Sequence, residues 1–262
     1  MPDPRAGLFP ALLKHWRGQR SLSQLDLGLA ADVSARHISF LETGRSRPSV
    51  GMVLRLGTTL GVPLRQVDAM LRAAGHDTIY DTTPGELPQP VKEALELLKR
   101  HHDPYPLLVI DRLYRVRDMN NGAIRLFNRL LGPGLQLEGL NLAELTFDPA
   151  GAHPLVANFE TVGRQLLWRL QREALADPND SEIRALLDRL VAMPTVSPNW
   201  RTMDPEVPSD PVLILHLRTG EVDLRFMTMI TAFQAPQNAA VEDLRIESWL
   251  PYDAATDALL QG

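Results

Sequence analysis

The sequence predicts a multidomain chain: an all-α domain of five short helices, followed by an α+β domain built on an antiparallel sheet. Three observations carry this prediction. Residues 1–76 space their apolar side chains three and four apart, in runs punctuated by capping residues and glycines. The last third alternates apolar and polar residues with period two around Thr219-Gly220, a hairpin signal. Between these textures, DTTPGELPQP (residues 81–90) puts three prolines and a glycine into ten positions, a stiff extended spacer. The expected boundaries are therefore 1–77 for the helical domain, 78–90 for a Pro-rich linker and 91–262 for the second domain.

Composition narrows the class. The chain has 262 residues, 44% hydrophobic and 23% charged, enough for two ordinary cores without a covalent staple. With no cysteine, disulfides, thiolate zinc sites and cysteine nucleophiles are excluded. Proline interrupts the N-terminal residues before any apolar run of signal-peptide length, and no stretch approaches the roughly 18 apolar residues of a membrane span. A cytoplasmic, nucleoid-associated protein with no membrane span is expected. The net charge of −5 hides an asymmetry: residues 1–76 carry ten Lys/Arg against five acids, a net of +5, so the remainder carries −10. A polyanion attracts the first segment and is repelled by the second.

In the first domain, Leu8, Leu12, Leu13 and Trp16 define a helix over about Leu8–Gln19. Ser23, with Asp26 three residues on, opens a second helix reaching about Ala31. Ser34 caps a third, which runs to about Glu42 and is closed by Gly44. Pro48-Ser49 opens a fourth that stops at Gly61, and Pro63 starts a fifth that ends at Gly75. In the second domain a helix is expected over about Val91–His101, then strands Leu107–Ile110 and Leu113–Met119 joined at Asp111-Arg112. A helix capped by Asn120 or Asn121 follows, reaching about Leu131. Helices near Ala157–Ala176 and Glu182–Met193 flank the turn Asp177-Pro178-Asn179-Asp180. Three strands end the chain: Val212–Arg218, Glu221–Phe233 and Asp243–Leu250. The last of these alternates Leu244, Ile246, Ser248 and Leu250 on one face.

The informative stretch is QLDLGLAADVSARHISFLETGRSRP, residues 24–48. A helix-turn-helix needs small residues where its helices cross and apolar residues behind the recognition helix. Leu27, Ala31, Val33, Ile38 and Leu41 form that apolar set, and Ser34, Ala35, Arg36, Ser39 and Phe40 are left facing outward. With the run Glu42 to Ser49, this spacing closely resembles the XRE family of bacterial and phage repressor-like regulators, over about residues 8–75 and all five helices. The resemblance implies a sequence-specific transcription regulator whose partner is double-stranded DNA. It implies that Gln24 touches or buttresses the DNA backbone, and that Ser34, Ala35 and Arg36 face base edges, with Phe40 one turn further. Arg45, Ser46 and Arg47 then contact phosphates. Arg36 suits guanine O6 and N7, and Ala35 or Phe40 suits a thymine methyl; Phe40 at the core edge and a merely solvated His37 are the alternatives. Arg55, Arg65 and Arg72 read as exposed helix residues. Arg17 and Glu42 match a pair that forms a buried, structural salt bridge in the family. Two positions depart from it. Gly28 stands where alanine is usual, at an expected cost of about 1 kcal/mol to the helix, and Asp32 replaces a turn glycine, in a left-handed conformation Asp tolerates less cheaply.

PYPLLVIDRLYRVRDMNNGAIRLFNRLL, residues 104–131, reads as strand, tight turn, strand and Asn-capped helix, and resembles the opening of a PAS-type domain. Together with the ending DLRIESWLPYDAATDALL, it is similar to the MmyB-like regulators over most of residues 91–262, with Met119 where a tryptophan often precedes the asparagine. That resemblance implies a PAS-like module for a small, apolar, fatty-acid-like ligand, with no cofactor. Leu126, Phe127, Leu130, Phe159, Leu166, Leu167, Phe226 and Ile230 are the candidate pocket residues; an ordinary core is the alternative. Met227 and Met229 fall on the opposite face by alternation.

Other chemistries find little support. The adjacent histidines of His101-His102-Asp103 lie on different sides of a helix end, so no metal site is expected. His153 and His216 have nothing that marks them as heme ligands. There is no Gly-rich phosphate loop, no G-x-S-x-G and no catalytic residue set, so no enzyme is expected. The reading is a DNA-binding regulator, controlled by its ligand or by dimerisation through the second domain. A homodimer is expected because one recognition helix reads too few base pairs for an operator. The alternative is a protein-interaction adaptor whose helix-turn-helix no longer binds DNA.

Overall fold

In the computed structural model, which describes residues 8–80, 87–134, 136, 139–176, 180–200, 212–220, 222–233 and 238–261, the N-terminal helices are α1 (Leu8–Gln19), α2 (Gln24–Ala30), α3 (Ala35–Glu42), α4 (Val50–Leu60) and α5 (Leu64–Ala73). Serine hydroxyls start the middle three of them. Ser23 Oγ accepts from the Asp26 N–H at 3.1 Å while Asp26 Oδ2 accepts from the Ser23 N–H at 2.9 Å, the reciprocal box expected from the sequence. Ser34 and Ser49 each cap through one N–H, of His37 and Met52. Gly61 ends α4 in the left-handed conformation at φ 58°, and Asp32 takes the same conformation at φ 53° between α2 and α3. Gly28 has a reason the sequence did not show. A Cβ there would lie 2.6 Å from the Val33 carbonyl oxygen and 3.1 Å from the Ala35 nitrogen, so the missing side chain lets α2 and α3 close on each other. Leu13, Leu27, Ile38, Leu41, Val53 and Leu56 are fully buried between the helices. Truncating one such leucine to alanine costs about 2–5 kcal/mol.

The remaining elements are α6 (Gln89–His102), β1 (Leu107–Ile110), β2 (Val116–Met119), α7 (Asn121–Leu131), α8 (Leu142–Phe147), α9 (Phe159–Ala176), α10 (Ser181–Val191), β3 (Leu213–Thr219), β4 (Val222–Thr231), α11 (Ala239–Glu242), β5 (Arg245–Pro251) and α12 (Ala254–Gln261). The chain divides into one unit of Met1–Leu87 with Phe233–Glu242, and another of Pro88–Ala232 with Asp243–Gly262. The short α11 thus belongs to the first unit, where Glu242 Oε2 accepts from the Leu64 N–H at 2.9 Å. Pro63, which precedes that N–H, has no side-chain acceptor to offer it. Residues 1–7 of the expected first domain, 81–86 of the linker, 177–179 of the expected turn and Glu221 lie outside the described residues.

In the second unit the five strands form one antiparallel sheet in the order β2-β1-β5-β4-β3. The first hairpin therefore joins the C-terminal meander edge to edge, with β5 as the central strand. Asn120 ties α7 to β1: its Oδ1 accepts from the Ala123 and Leu107 N–H groups, and its Nδ2 donates to the Tyr105 carbonyl at 2.7 Å. Three details depart from the expected elements. The second strand begins at Val116 rather than Leu113, because Asp111 Oδ1 accepts from the Leu113 and Arg115 N–H groups and folds those residues into the turn. Helices α8 and α12 carry too few residues to register as periodic patterns. In β5 the alternation favoured the face of Ile246, but the row facing α7 and α9 carries Glu247 and Trp249. A central strand is covered on both faces, so apolarity does not choose between them.

Candidate functional site

Helix α3 presents the first candidate surface. Its core-facing side buries Ile38 and Leu41, which leaves Ser34 and Arg36 exposed and Ala35, His37 and Phe40 partly exposed. The Arg36 guanidinium lies 5.3 Å from the centroid of the Phe40 ring and that of Arg45 lies 6.0 Å from it. Each contact places a cation on the ring and limits the freedom of a long side chain. Phe40 is therefore a platform for two arginines and not a buried core residue. Arg45 and Arg47 are exposed in the segment after α3, and Ser46 is partly exposed beside them.

Behind that helix, Arg17 and Glu42 form a two-pronged pair, with Nε to Oε1 at 2.6 Å and Nη2 to Oε2 at 3.0 Å. Arg17 Nη1 also donates to the Leu22 carbonyl, and Gln24 Nε2 donates to Glu42 Oε2 at 2.8 Å. Burial works against the charge on Glu42, but the Arg17 and Gln24 hydrogen bonds and the Arg17 charge outweigh it and hold the carboxyl below its usual range. The Glu42 hydrogen bond likewise holds the Arg17 guanidinium above its usual value, against desolvation. Gln24, expected at the DNA backbone, has one amide hydrogen committed to this network.

The second unit contains a cavity between the sheet and α7, α8 and α9, with about 880 Å³ of atom-free space including its mouth. Leu126, Phe127 and Leu130 of α7, Leu166 of α9 and Ile230 of β4 stand in its wall. Phe159, Leu167 and Phe226 do not. Leu167 and Phe226 are fully buried in the core, and Phe159 packs edge-on against Phe147 and His153. The wall also includes residues the sequence reading passed over, among them Leu142 and Leu145 of α8, Val162 of α9 and Leu213, Leu215 and Leu217 of β3.

Comparison with protein families now bears on both sites. The family described as the MmyB-like transcription regulator ligand binding domain matches residues 91–262, and a helix-turn-helix domain family matches residues 9–70. The chain belongs to the MmyB-like transcription regulators. None of the curated proteins matches it. A solved structure of an RNA-binding light-oxygen-voltage receptor is similar at 14% identity and a TM-score of 0.30, over 91% of this chain and 59% of that one, too remote to bear on fold or function. This MmyB-like regulator thus joins a helix-turn-helix domain to a ligand-binding domain. Among its described residues no helix is long and apolar enough to cross a membrane.

One end of the regulator's cavity is polar. Tyr114, Arg169 and Glu247 line it together, and Arg169 Nη1 donates to the Tyr114 hydroxyl at 3.1 Å. Tyr114 is 6% exposed and sits at φ 61°, a strained conformation for a bulky residue that the Asp111 turn imposes. Burial pushes the Tyr114 phenol well above its usual range, so it stays neutral. Burial also pushes the Glu247 carboxyl up, against the opposing Trp249 Nε1–H hydrogen bond and the Arg169 charge. These residues left a readable trace in the sequence: Val162, Leu166, Arg169 and Glu173 repeat at helical spacing along α9, a stripe that changes from apolar to charged.

Proposed function

We propose that the regulator reads an operator in duplex DNA through α3 and is controlled by a small, apolar, fatty-acid-like ligand held in the second-unit cavity, or by dimerisation through that unit. The observation that carries the DNA half is the exposed face of α3, where Arg36 and Arg45 flank Phe40. In this reading Ser34, Ala35, Arg36 and Phe40 meet base edges in the major groove. Arg45, Ser46 and Arg47 meet phosphates, and Gln24 buttresses the backbone contact from within the Glu42 network. Arg36, already placed by the ring, loses less freedom on binding guanine than an unsupported arginine. The cavity supports the second half, because its wall is mostly aliphatic and aromatic away from the polar end.

Domain limits of 1–77, 78–90 and 91–262 follow from the same reading, with the partner set of duplex DNA, a second copy of the chain and the apolar ligand. Selection of duplexes from a random pool by the full chain, followed by salt titration, tests the proposal. A selected site should lose about 1–3 kcal/mol of affinity in Arg36→Ala, with relaxed preference at one base pair. Arg45→Ala and Arg47→Ala should weaken all duplexes alike and lower the salt slope by about one each. If these three substitutions left affinity and salt dependence unchanged, the helix-turn-helix would serve another partner, as in an adaptor.

A further inference from the structure

Phe40 offers the major groove no donor and no acceptor, yet it stands partly exposed on the face of α3 that carries Arg36. The ring does not pack on the core that Ile38 and Leu41 close behind it. One helical turn separates it from Arg36, whose guanidinium carbon lies 5.3 Å from the ring centroid. That of Arg45 lies 6.0 Å away, so the ring is held from α3 and from the segment after it. A guanidinium that forks onto guanine O6 and N7 lies in the plane of that base. A ring centred 5.3 Å from it then falls at the level of the neighbouring base pair, since pairs are spaced about 3.4 Å apart. Among the major-groove groups of that pair only the C5-methyl of thymine is apolar. A phenyl ring laid on any other group strands a donor or an acceptor; laid on the methyl it strands none.

We propose that Arg36 and Phe40 read a two-base-pair step as one unit, Arg36 taking a guanine and Phe40 the C5-methyl group of a pyrimidine in the adjacent pair. The proposal rests on the reading that α3 enters the major groove, and adds to it the identity of the step. What is recognised is the methyl group and not the base that carries it. Thymine and 5-methylcytosine both supply it, and unmodified cytosine does not. The two side chains depend on each other: the ring limits where the guanidinium can reach, and the guanidinium sets how far the ring stands from the guanine. Arg45 on the same ring joins this unit to the phosphate contacts, so base reading and backbone register share one support. Ala35, the other apolar residue of the face, is a weaker candidate for the methyl. It opens α3 where Gly28 closes on its backbone nitrogen and Cα, and its side chain reaches only one carbon from the main chain.

Selection of duplexes from a random pool by the full chain supplies the site, and the position that loses its preference in Arg36→Ala marks the guanine. Synthetic duplexes that vary the adjacent pair are then titrated by fluorescence anisotropy at one salt concentration. Deoxyuridine in place of thymine should weaken binding about fourfold, the worth of one buried methyl. Cytosine there should bind more weakly than 5-methylcytosine by about the same factor, which separates the two sources of the group. Phe40→Leu should keep the methyl preference and lower the preference for guanine about two- to fivefold, because the cation loses its ring. Phe40→Ala should abolish the methyl preference as well, in a chain whose thermal transition shows it folded. Equal affinities within either pair of duplexes, or a methyl preference that survives in Phe40→Ala and disappears in Ala35→Gly, would overturn the paired reading while leaving operator recognition in place. Failure to select any duplex, or unchanged preferences in Arg36→Ala, would overturn the DNA reading itself.

Discussion

Two of the clusters among the described residues in which an arginine, a glutamate and a third polar side chain meet are built on opposite plans. In the first unit, Arg17, Glu42 and Gln24 satisfy one another: both carboxylate oxygens accept, and Arg17 Nη1 donates to the Leu22 carbonyl. In the second unit, Tyr114, Arg169 and Glu247 share one hydrogen bond and open onto empty space. Closed, such a cluster fixes the angle between helices; open, it leaves binding capacity unspent. The direction of the carboxyl shifts records the difference. Partners hold Glu42 down despite burial, whereas burial lifts Glu247 because its partners are too few.

Removing a partner is the strongest way to break this comparison. Glu42→Ala leaves Arg17 with a desolvated, unmatched charge and should destabilise the first unit by about 3 kcal/mol or more, measured as loss of hydrogen-exchange protection in α1 to α3. The open cluster should respond in the other sense. Glu247→Leu replaces a poorly compensated carboxyl in an apolar row and should leave the second unit as stable or stabilise it by about 1 kcal/mol in the absence of ligand. A loss of comparable size at both sites would mean that Glu247 is a structural residue like Glu42. Between these lies Gly28→Ala. Better helix propensity favours alanine by about 1 kcal/mol, but the 2.6 Å approach to the Val33 carbonyl opposes it. We expect a net loss of about 1 kcal/mol, read from the denaturation midpoint, with the α2–α3 crossing and the Gln24–Glu42 hydrogen bond loosened together.

The two regions also differed in how much of them the sequence disclosed. Local signals fixed the first: Ser23, Ser34 and Ser49 each cap the helix that follows, and Gly61 ends one where only a left-handed residue fits. Ion pairing between Arg17 and Glu42 was legible only through family resemblance, since 25 residues separate them. The second region depends on pairings far apart in the chain. That Glu247 faces the cavity follows from its register between Ile230 and Leu108, which no local pattern specifies, and the strand's better apolar alternation pointed to the other face. Arg169 was within reach of periodicity, but Leu166 and Leu167 sit side by side on that helix. Only Leu166 shares the stripe with Arg169; Leu167 packs into the core. Apolar residues at helical spacing identify a buried face without saying whether that face meets a neighbour or a void, which is why Phe226 and Phe159 were placed with the cavity wall.

The mildest perturbation, pH, separates the clusters without altering a contact. For Glu42 the folded value lies below the unfolded one of about 4.3, so its contribution is fully present above that value and is lost as pH falls through the folded value. For Glu247, and for Glu173 beside it, the folded value lies above the unfolded one. Their burial costs nothing while both states are protonated, and stability declines as pH rises from about 4.3 through the folded value. Acidification should thus weaken exchange protection in α3 before that in β5, and raising the pH from mild acid should weaken β5 with no matching change in α3. Glu42→Gln should remove the first dependence and Glu247→Gln part of the second, the remainder belonging to Glu173. Parallel pH profiles in α3 and β5 would place both carboxyls in the same kind of environment, and the open cluster would then be closed by partners of its own.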